Sequence, residues 1–326
     1  MKRWSSSRFK YVLVAVAALI SAGAAHSQAY PVKPVRYVVG FVAGGSADTL
    51  ARIVAGKLGE ILGQQVVVEN RPGAGSIVAA DLVAKAGPDG YTLLQAGATL
   101  TTNPVLRRSV PYNAQKDFAP VSHLARVANV FAVHPSVPAK SVREIVVYAK
   151  ANPGKITYGT PGVGSTGHLS AELFKSMTGV MLEHIPYKGG APALTDLIGG
   201  QIAALFDNVP ASTPYIKSGR IRALGVTSAR RVAQLPEVPT IAESGVPGFD
   251  VTSWYALWVP AAVPQTIVAR LNAGITAALT APDVQRRITD LGFEPAPSTV
   301  EELAAVLKSE TARWASLVKQ AGIQPE

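Results

Sequence analysis

The chain has 326 residues, of which 48% are hydrophobic and 16% are charged, a balance typical of a folded globular protein and not of a disordered one. It contains no cysteine, which excludes disulfide bonds and thiolate metal sites. The formal net charge is +10, but the basic residues are scattered and form no basic helix face, so a nucleic-acid partner is not expected.

The N-terminal 29 residues have the layout of a secretory signal peptide. Basic residues precede a short apolar run, Tyr11–Ile20, and small residues follow it. A membrane anchor needs roughly 20 apolar residues, about twice this length. We expect cleavage after Ser27 or Ala29, which removes four positive charges and leaves an exported chain of net charge +6. The four basic residues are Lys2, Arg3, Arg8 and Lys10.

Residues 35–95 show a repeated strand–helix pattern. A glycine-rich loop, residues 41–48, joins the first strand to the first helix. Strands that alternate with helices predict βαβ units on a parallel sheet. In chain order the predicted elements are strand Val35–Gly40, helix Thr49–Leu62, strand Val66–Glu69, helix Ile77–Lys85 and strand Tyr91–Gln95.

The same pattern returns between residues 156 and 206, again with a glycine-rich first loop at residues 160–167. Because successive elements match in order, and about 300 residues remain after the signal peptide, we expect two similar α/β lobes. The predicted elements here are strand Ile156–Gly159, helix His168–Met177, strand Met181–Ile185, a helix around residues 194–198 and strand Ile202–Phe206.

Two further segments indicate where the chain passes from one lobe to the other. Val130–Lys150 and Tyr255–Ile275 share an apolar strand, a proline, a Val-Pro turn and an amphipathic helix. Two crossings assign residues 30–125 and 250–326 to lobe one, and residues 126–249 to lobe two. The C-terminal stretch Val300–Gln320 has apolar residues at helical spacing and is expected to dock on lobe one.

Both first loops place backbone N–H groups and small residues at a predicted helix N-terminus. Unpaired N–H donors and a partial positive charge bind anions there without a cationic side chain. In doubly wound sheets, ligands bind beyond the carboxyl ends of the strands, where these loops lie. Ser46, Ser165 and Thr166 are candidates for helix capping, for anion contact, or for both. Asp48 is interpreted as a cap only, because its carboxylate would repel an anion.

Other candidate ligand contacts follow the strands of lobe two. Asp207 ends the third strand and is expected to accept a hydrogen bond from a ligand amino or hydroxyl group, or to orient the backbone near Asn208. Tyr187 and Lys188 end the neighbouring strand, although Lys188 fits an exposed surface position equally well. His168 begins a predicted helix and is a candidate for ligand contact or for packing.

An enzyme on the same scaffold is the alternative. Gly162-Val-Gly164-Ser-Thr-Gly167 matches the dinucleotide fingerprint G-x-G-x-x-G, and Glu183 follows about 20 residues later. Export removes the nicotinamide pool, and the corresponding loop of lobe one lacks the fingerprint, so no cofactor is expected. The sequence also has no nucleophile elbow and no HExxH motif. The mature histidines, which show no metal-pair spacing, are His123, His134, His168 and His184.

Six longer segments carry a family signature: YPVKPVRYVVGFVAGGSADTLAR, VVVENRPGAGSIVAADLVAKAGPDGYTLL, KDFAPVSHLARVANVFAVHPSVPAKSV, NPGKITYGTPGVGSTGHLSAELFKSMTGV, HIPYKGGAPALTDLIGGQIAALFDNVP and LPEVPTIAESGVPGF. Within them VENRPGAG, PDGYTLL, PYKG with PALTDL, and FDN are highly specific. Over nearly its whole mature length the chain resembles the Bug (Bordetella uptake gene) proteins, solute receptors of tripartite tricarboxylate transporters. It departs from them in the first loop, which reads FVAGG where the family often has FPPGG, and at Gly40, where a proline is frequent.

The resemblance implies an α/β type II periplasmic-binding-protein fold, with two doubly wound lobes joined by two hinge crossings and a ligand cleft between them. It implies a periplasmic receptor, not an enzyme, that closes on a small carboxylate through backbone amides and bridging waters and serves a transporter in the membrane. The acid would be a dicarboxylate, a tricarboxylate, an acidic amino acid or an aromatic acid. We expect a monomer, and a sensory receptor is a further alternative. The expected ligand-binding residues are Phe41, Ala43, Gly44, Gly45, Ser46, Ala98, Thr99, Thr160, Gly162, Gly164, Ser165, Thr166, His168 and Asp207 by resemblance, and Tyr187 by its position.

Overall fold

The structure, a computed structural model, describes residues 30–320, and the predicted signal peptide lies outside them. A short 3-10 helix, Ala74–Ser76, lies directly before the α-helix that begins at Ile77. In this part of the chain no helix is both long and apolar enough to cross a bilayer. The strands are β1 (Val35–Val39), β2 (Val66–Asn70), β3 (Thr92–Gly97), β4 (Phe118–Val133), β5 (Thr157–Thr160), β6 (Glu183–Pro186), β7 (Ala204–Asn208), β8 (Arg222–Val226), β9 (Thr252–Pro260) and β10 (Glu294–Pro295). The α-helices are α1 (Ser46–Leu62), α2 (Ile77–Ala84), α3 (Ala98–Leu106), α4 (Val142–Ala151), α5 (Thr166–Thr178), α6 (Gly190–Ile198), α7 (Val209–Lys217), α8 (Gln265–Thr280), α9 (Pro282–Leu291) and α10 (Val300–Gln320).

The first sheet, called sheet one, has the strand order β2-β1-β3-β9-β4, and β10 pairs with β4. Strands β1, β2 and β3 are parallel, whereas β9 runs antiparallel between β3 and β4. Strand β1, between β2 and β3, reads VRYVV, and such β-branched and aromatic residues suit a sheet that is buried on both faces. Helices α1 and α8 pack together against this sheet and bury Leu50, Leu58 and Ile275 completely.

The second sheet, called sheet two, has the order β8-β4-β7-β5-β6. Strands β5, β6 and β7 are parallel, and β4 runs antiparallel to β7 and β8. Its core is aromatic: the rings of Phe131 and Phe206 stack with centroids 4.2 Å apart, and Phe174 of α5 packs against both. Burial of each such side chain contributes roughly 1.5–3 kcal/mol.

Strand β4 belongs to both sheets. It pairs with β9 as far as Ala128 and with β7 from Asn129 onward. The chain therefore enters sheet two within β4, and it returns to sheet one between β8 and β9. This arrangement confirms the predicted α/β fold with two crossings. The strands of the predicted βαβ units, β1 to β3 and β5 to β7, are parallel as predicted. Strands β4, β8 and β9 run antiparallel to their neighbours and make both sheets mixed.

Two helices begin earlier than predicted, α1 at Ser46 and α5 at Thr166, because each glycine-rich loop turns directly into its helix. The C-terminal helix α10 packs on α3 and β4 and buries Leu303 and Trp314. It thus docks beside sheet one, where the apolar spacing placed it.

Candidate functional site

A small cavity lies between the two sheets. Strands β1 and β3 of sheet one and β5 and β7 of sheet two all end at this cavity. The carboxyl ends of parallel strands are the usual ligand position in doubly wound sheets. The lining residues are Phe41, Gly45, Ser46, Ala47, Gly97, Ala98, Thr99, Asn129, Pro161, Ser165, Thr166, Gly190, Asp207, Asn208, Ser253, Trp254 and Tyr255.

Five helices begin at the cavity: α1, α3, α5, α6 and α7. At four of them, α1, α3, α6 and α7, no side chain makes a hydrogen bond to cap the N-terminus. The first N–H groups of a helix have no partner within the helix, and the helix dipole places a partial positive charge at the same end. Several such ends around one small cavity create a strong preference for an anion.

The two candidate serines of the loops behave differently. The hydroxyl of Ser165 accepts a hydrogen bond of 3.2 Å from the N–H of His168 and so caps α5. The hydroxyl of Ser46 is buried against the cavity and has no hydrogen-bond partner. Leaving a buried hydroxyl unsatisfied costs about 1–3 kcal/mol. The Ser46 hydroxyl in the first loop is therefore available to form a hydrogen bond with a ligand.

Asp48 holds the first loop together and does not line the cavity. Its carboxylate accepts hydrogen bonds from the N–H of Gly44 at 3.0 Å and from the amide of Asn70 at 2.9 Å, and Arg52 pairs with it at 2.9 Å. Burial by itself would raise the pKa of Asp48, but these hydrogen bonds and the Arg52 charge outweigh it and hold the pKa below its usual value. The interpretation of Asp48 as a helix cap was wrong: its carboxylate bonds to the N–H of Gly44, which precedes the N-cap residue Gly45, and it ties the loop to Asn70 and Arg52.

Asp207 is the acidic residue of the cavity wall. It is 2% exposed, and its Oδ2 atom has no hydrogen-bond partner. Burial raises the pKa of Asp207 to about 7, against an opposing hydrogen bond from the N–H of Asn208. Tyr255 is the other titratable residue of the wall, and burial together with the nearby Asp207 raises its pKa. Among the described residues, no lysine, arginine or histidine lines the cavity.

A chain of buried hydrogen bonds ties the sheets together beside the cavity. The hydroxyl of Tyr255 donates to Asn208 Oδ1 at 2.5 Å, and Asn208 Nδ2 donates to Asn129 Oδ1 at 2.5 Å. Asn129 Nδ2 in turn donates to the hydroxyl of Ser170 at 3.3 Å. Tyr255 belongs to sheet one and Asn208 to sheet two, while Asn129 is the residue at which β4 changes sheets. The network thus fixes the polar wall where the two sheets meet.

The loops of the two sheets also contact each other directly. The N–H of Val42 donates to the carbonyl oxygen of Lys188 at 3.2 Å. The hydroxyl of Thr102, on α3, donates to the carbonyl oxygen of Gly164 at 2.7 Å. These contacts join sheet one to sheet two around the cavity without any ligand atom.

The structure brings eight of the predicted ligand-binding residues to the cavity and leaves seven elsewhere. Those that line the cavity are Phe41, Gly45, Ser46, Ala98, Thr99, Ser165, Thr166 and Asp207. Those that do not line it are Ala43, Gly44, Thr160, Gly162, Gly164, His168 and Tyr187.

The side chains placed elsewhere already have protein partners. The hydroxyl of Tyr187 donates to Asp196 at 2.6 Å, and the hydroxyl of Thr160 lies 2.7 Å from Nε2 of His184. The ring of His168 stacks on that of His184 with centroids 4.6 Å apart. These side chains hold sheet two and its helices in place.

The backbone groups of the remaining four residues are also engaged or exposed. Asp48 accepts the Gly44 N–H. Ser165 donates its N–H to Gly162 O, and Thr102 donates its hydroxyl to Gly164 O. Ala43 is exposed at the tip of the first loop. The glycine-rich loops therefore line the cavity with some of their residues. Their other residues bond within the same loop or to the opposite sheet.

The sequence analysis missed several lining residues, among them Asn129, Asn208, Ser253, Trp254 and Tyr255. A signal existed for Asn208, which directly follows Asp207 in the FDN motif. No signal in the sequence indicated the other four residues. Asn129 lies within the long apolar strand β4, and Ser253, Trp254 and Tyr255 lie near the start of the apolar strand β9. They reach the cavity because β4 and β9 lie where the sheets join.

The G-x-G-x-x-G segment has a packing role in this structure. A Cβ atom on Gly167 would lie 2.3 Å from the carbonyl oxygen of Phe206, so glycine allows α5 to approach β7 closely. Gly164 is in contact with Thr102 and Asn103 of α3. Across residues 30–320 no group of three His, Asp or Glu residues is placed to hold a metal ion.

Comparison with known proteins gives a consistent result. Residues 50–323 match the family described as Tripartite tricarboxylate transporter family receptor. Protein BugT of Bordetella pertussis is 38% identical over 295 residues, which cover 90% of this chain and 90% of BugT.

Solved structures of similar proteins share the fold over almost the whole described chain. A Rhodopseudomonas palustris protein with adipate has a TM-score of 0.88 at 41% identity, covering 91% of this chain and 100% of that one. The periplasmic binding protein BugD has a TM-score of 0.88 at 37% identity, with coverage of 91% and 100%. MatC from Rhodopseudomonas palustris with bound malate has a TM-score of 0.85 at 33% identity, with coverage of 89% and 100%.

Proposed function

The chain belongs to the tripartite tricarboxylate transporter receptor family, and from this premise we propose that it captures a small carboxylate in the periplasm for a transporter of that kind. Members of the family are receptors, so the chain is a solute-binding protein and not an enzyme. Export would use the N-terminal signal peptide, cleaved after Ser27 or Ala29. Delivery to membrane components of a transporter, rather than to a signalling protein, follows the description of the family.

One observation carries the carboxylate proposal: four helices without side-chain caps begin at the same cavity between the two sheets. Backbone N–H groups recognise carboxylate oxygens well and discriminate little among the rest of the ligand. The cavity is small and is lined by groups of both sheets, which suits a compact acid held from two sides. Relatives solved with adipate and with malate support small dicarboxylates first, ahead of tricarboxylates, acidic amino acids and aromatic acids.

Capture would take place by closure of two lobes. We assign residues 30–125 and 250–326 to lobe one and residues 126–249 to lobe two. Support comes from β4, which leaves sheet one at Ala128, and from the return of the chain between β8 and β9. The hydrogen bonds from Val42 and Thr102 to the other sheet correspond to the closed form. A ligand that touches both lobes favours this form by its difference in affinity for the closed and open states.

A thermal-shift panel on the mature protein tests the proposal. The panel contains adipate, malate, citrate, aspartate and benzoate, with adipamide as the neutral analogue of adipate and NAD as the dinucleotide. A ligand at 100 times its Kd should stabilise the protein by roughly 2.7 kcal/mol. We expect at least one acid to raise the melting temperature while adipamide does not. A shift with NAD and none with the acids would refute the receptor proposal.

A further inference from the structure

We infer that Asp207 takes up one proton from solvent when the protein captures a carboxylate that carries no amino group. The inference rests on the proposed function and adds to it a coupling between ligand binding and protonation. The reason is electrostatic repulsion: the cavity proposed to bind an anion already contains the acidic side chain of Asp207.

The position of Asp207 brings its carboxyl group close to any carboxylate bound in the cavity. The residue is 2% exposed and lines the cavity, and its Oδ2 atom has no hydrogen-bond partner. A Cβ atom placed on Gly190, the first residue of α6, would lie 2.1 Å from this oxygen, so the carboxyl group lies against the start of a helix that also faces the ligand. Any carboxylate in the cavity must share these helix N-termini with Asp207.

No side chain in the cavity wall can supply a compensating positive charge. Within residues 30–320, the titratable residues of the wall are Asp207 and Tyr255, and burial keeps the pKa of the tyrosine raised. The elements packed against β7 are β4, β5, α5, α6 and α7, and their titratable residues do not line the cavity. Those residues are His123, Arg126, Tyr158, His168, Glu172, Lys175, Asp196, Tyr215 and Lys217.

Two carboxylates that share a buried site cannot both stay ionised, since each raises the pKa of the other. In the ligand-free cavity, burial raises the pKa of Asp207 to about 7, and a bound carboxylate would raise it further. Capture at pH 8 then joins one ligand carboxylate, one Asp207 carboxylate and one proton. This pair of carboxyl groups then carries one negative charge, whatever the charge on the rest of the ligand; the helix N-termini stabilise that charge while the protonated carboxyl group donates a hydrogen bond.

The test measures proton uptake directly by titration calorimetry in phosphate and in Tris, two buffers with different heats of ionisation. The probe is the amino-free acid of the panel above that gives the largest thermal shift. At pH 8 we expect uptake of about one proton for each ligand bound, and at pH 5.5 we expect almost none. Above pH 7 the Kd should rise about tenfold per pH unit, because a one-unit separation of pH from pKa changes the protonated fraction tenfold.

Two substitutions identify the group that takes up the proton. In Asp207→Asn the amide stands in for the protonated acid, so the Kd should be independent of pH between 6 and 9 and uptake should vanish. Asp290→Asn, on the exposed side of α9, is the matched control and should keep the pH dependence of the native protein.

Each other outcome overturns the inference in a recognisable way. Tight binding at pH 8 without proton uptake in the native protein would refute it and leave the receptor proposal standing. Equal proton uptake by Asp207→Asn and by the native protein would show that another residue takes up the proton. If aspartate binds and no amino-free acid does, the inference fails, because the cavity then needs the ligand ammonium, and not a proton on Asp207, to balance the charge. If no acid binds at any pH, the proposed function fails first.

Discussion

The hydroxyl of Thr102 donates a 2.7 Å hydrogen bond to the carbonyl oxygen of Gly164, and this bond joins a helix of sheet one to the glycine-rich loop of sheet two. In the proposed open form both groups would bond to water instead, so this hydrogen bond would stabilise only the closed form. A typical hydrogen bond of this kind contributes about 0.5–1.5 kcal/mol.

Thr102→Val should therefore weaken ligand binding about fivefold, since it removes the hydroxyl and keeps the shape of the side chain. Thr101→Val is the matched control, because the Thr101 hydroxyl bonds to Ala98 O within the same helix. Calorimetry on both variants should show a weaker affinity for Thr102→Val only. Equal affinities in the two variants would mean that the bond has no part in closure.

Gly164→Ala should weaken binding at least tenfold by obstructing closure. The added Cβ atom would lie 2.5 Å from Asn103 Oδ1 and 3.2 Å from the Thr102 hydroxyl. Asn103 is fully buried and its amide donates to Gly75 O, so it cannot easily move aside. Gly154→Ala is the control, because this glycine has a similar φ of +72° and no atom within 4 Å of the added carbon.

Both glycine variants should lose stability from the positive φ, by roughly 1 kcal/mol. Only Gly164→Ala should lose affinity as well, and small-angle scattering should show that saturating ligand no longer compacts it fully. If ligand compacts Gly164→Ala fully, the Asn103 side chain can move away from the added methyl group, and the prediction is wrong.

Ligand binding should change tryptophan fluorescence through Trp254. This indole lines the cavity, contacts the ring of His123 at a centroid distance of 5.1 Å and donates to Glu310 at 3.3 Å. Trp314 is buried away from the cavity. The change in emission should disappear in Trp254→Phe and persist in Trp314→Phe. A change that survives in Trp254→Phe would have to come from another indole.

Stability should fall as the pH drops below neutrality, because two histidines resist protonation in the folded protein. Burial, with help from His168 and Lys175, lowers the pKa of His184 to about 3. Burial and the charge of Arg126 lower the pKa of His123 to about 4, against the opposing charge of Glu302.

An unfolded histidine binds its proton near pH 6.5, so between pH 6.5 and about 4 the unfolded state holds more protons than the folded one. The free energy of unfolding should accordingly decrease over this range as the pH falls, by up to about 1.4 kcal/mol per pH unit for each histidine. Denaturation by urea at a series of pH values measures the slope.

His184→Gln should make that slope shallower. His134→Gln is the control, since it removes a histidine without touching the stacked rings of His168 and His184. The same slope in His184→Gln as in the native protein would show that His184 is protonated in the folded state.

The sequence alone determined the strand–helix repeats, the two crossings and the family. These follow from local patterns: runs of apolar residues form buried strands, and a glycine-rich loop before an amphipathic stretch starts a helix. The loops after parallel strands must lie at the carboxyl edge of their sheet, so Gly45, Ser46, Ser165 and Thr166 could be placed near the ligand from sequence. Asp207 could be placed there for the same reason.

Only the tertiary structure decided which loop atoms face the cavity and which face the other sheet. Gly45 and Ser165, the residues directly before α1 and α5, line the cavity, whereas one position earlier Gly44 is bonded to Asp48 and Gly164 to Thr102. Contacts between sheets join residues far apart in the chain, 62 positions for Thr102 and Gly164 and 47 for Tyr255 and Asn208, and no local pattern encodes them. The Tyr255–Asn208–Asn129 network, which forms part of the polar wall with Asp207, likewise exists only because β4 runs through both sheets and β9 pairs with it in sheet one.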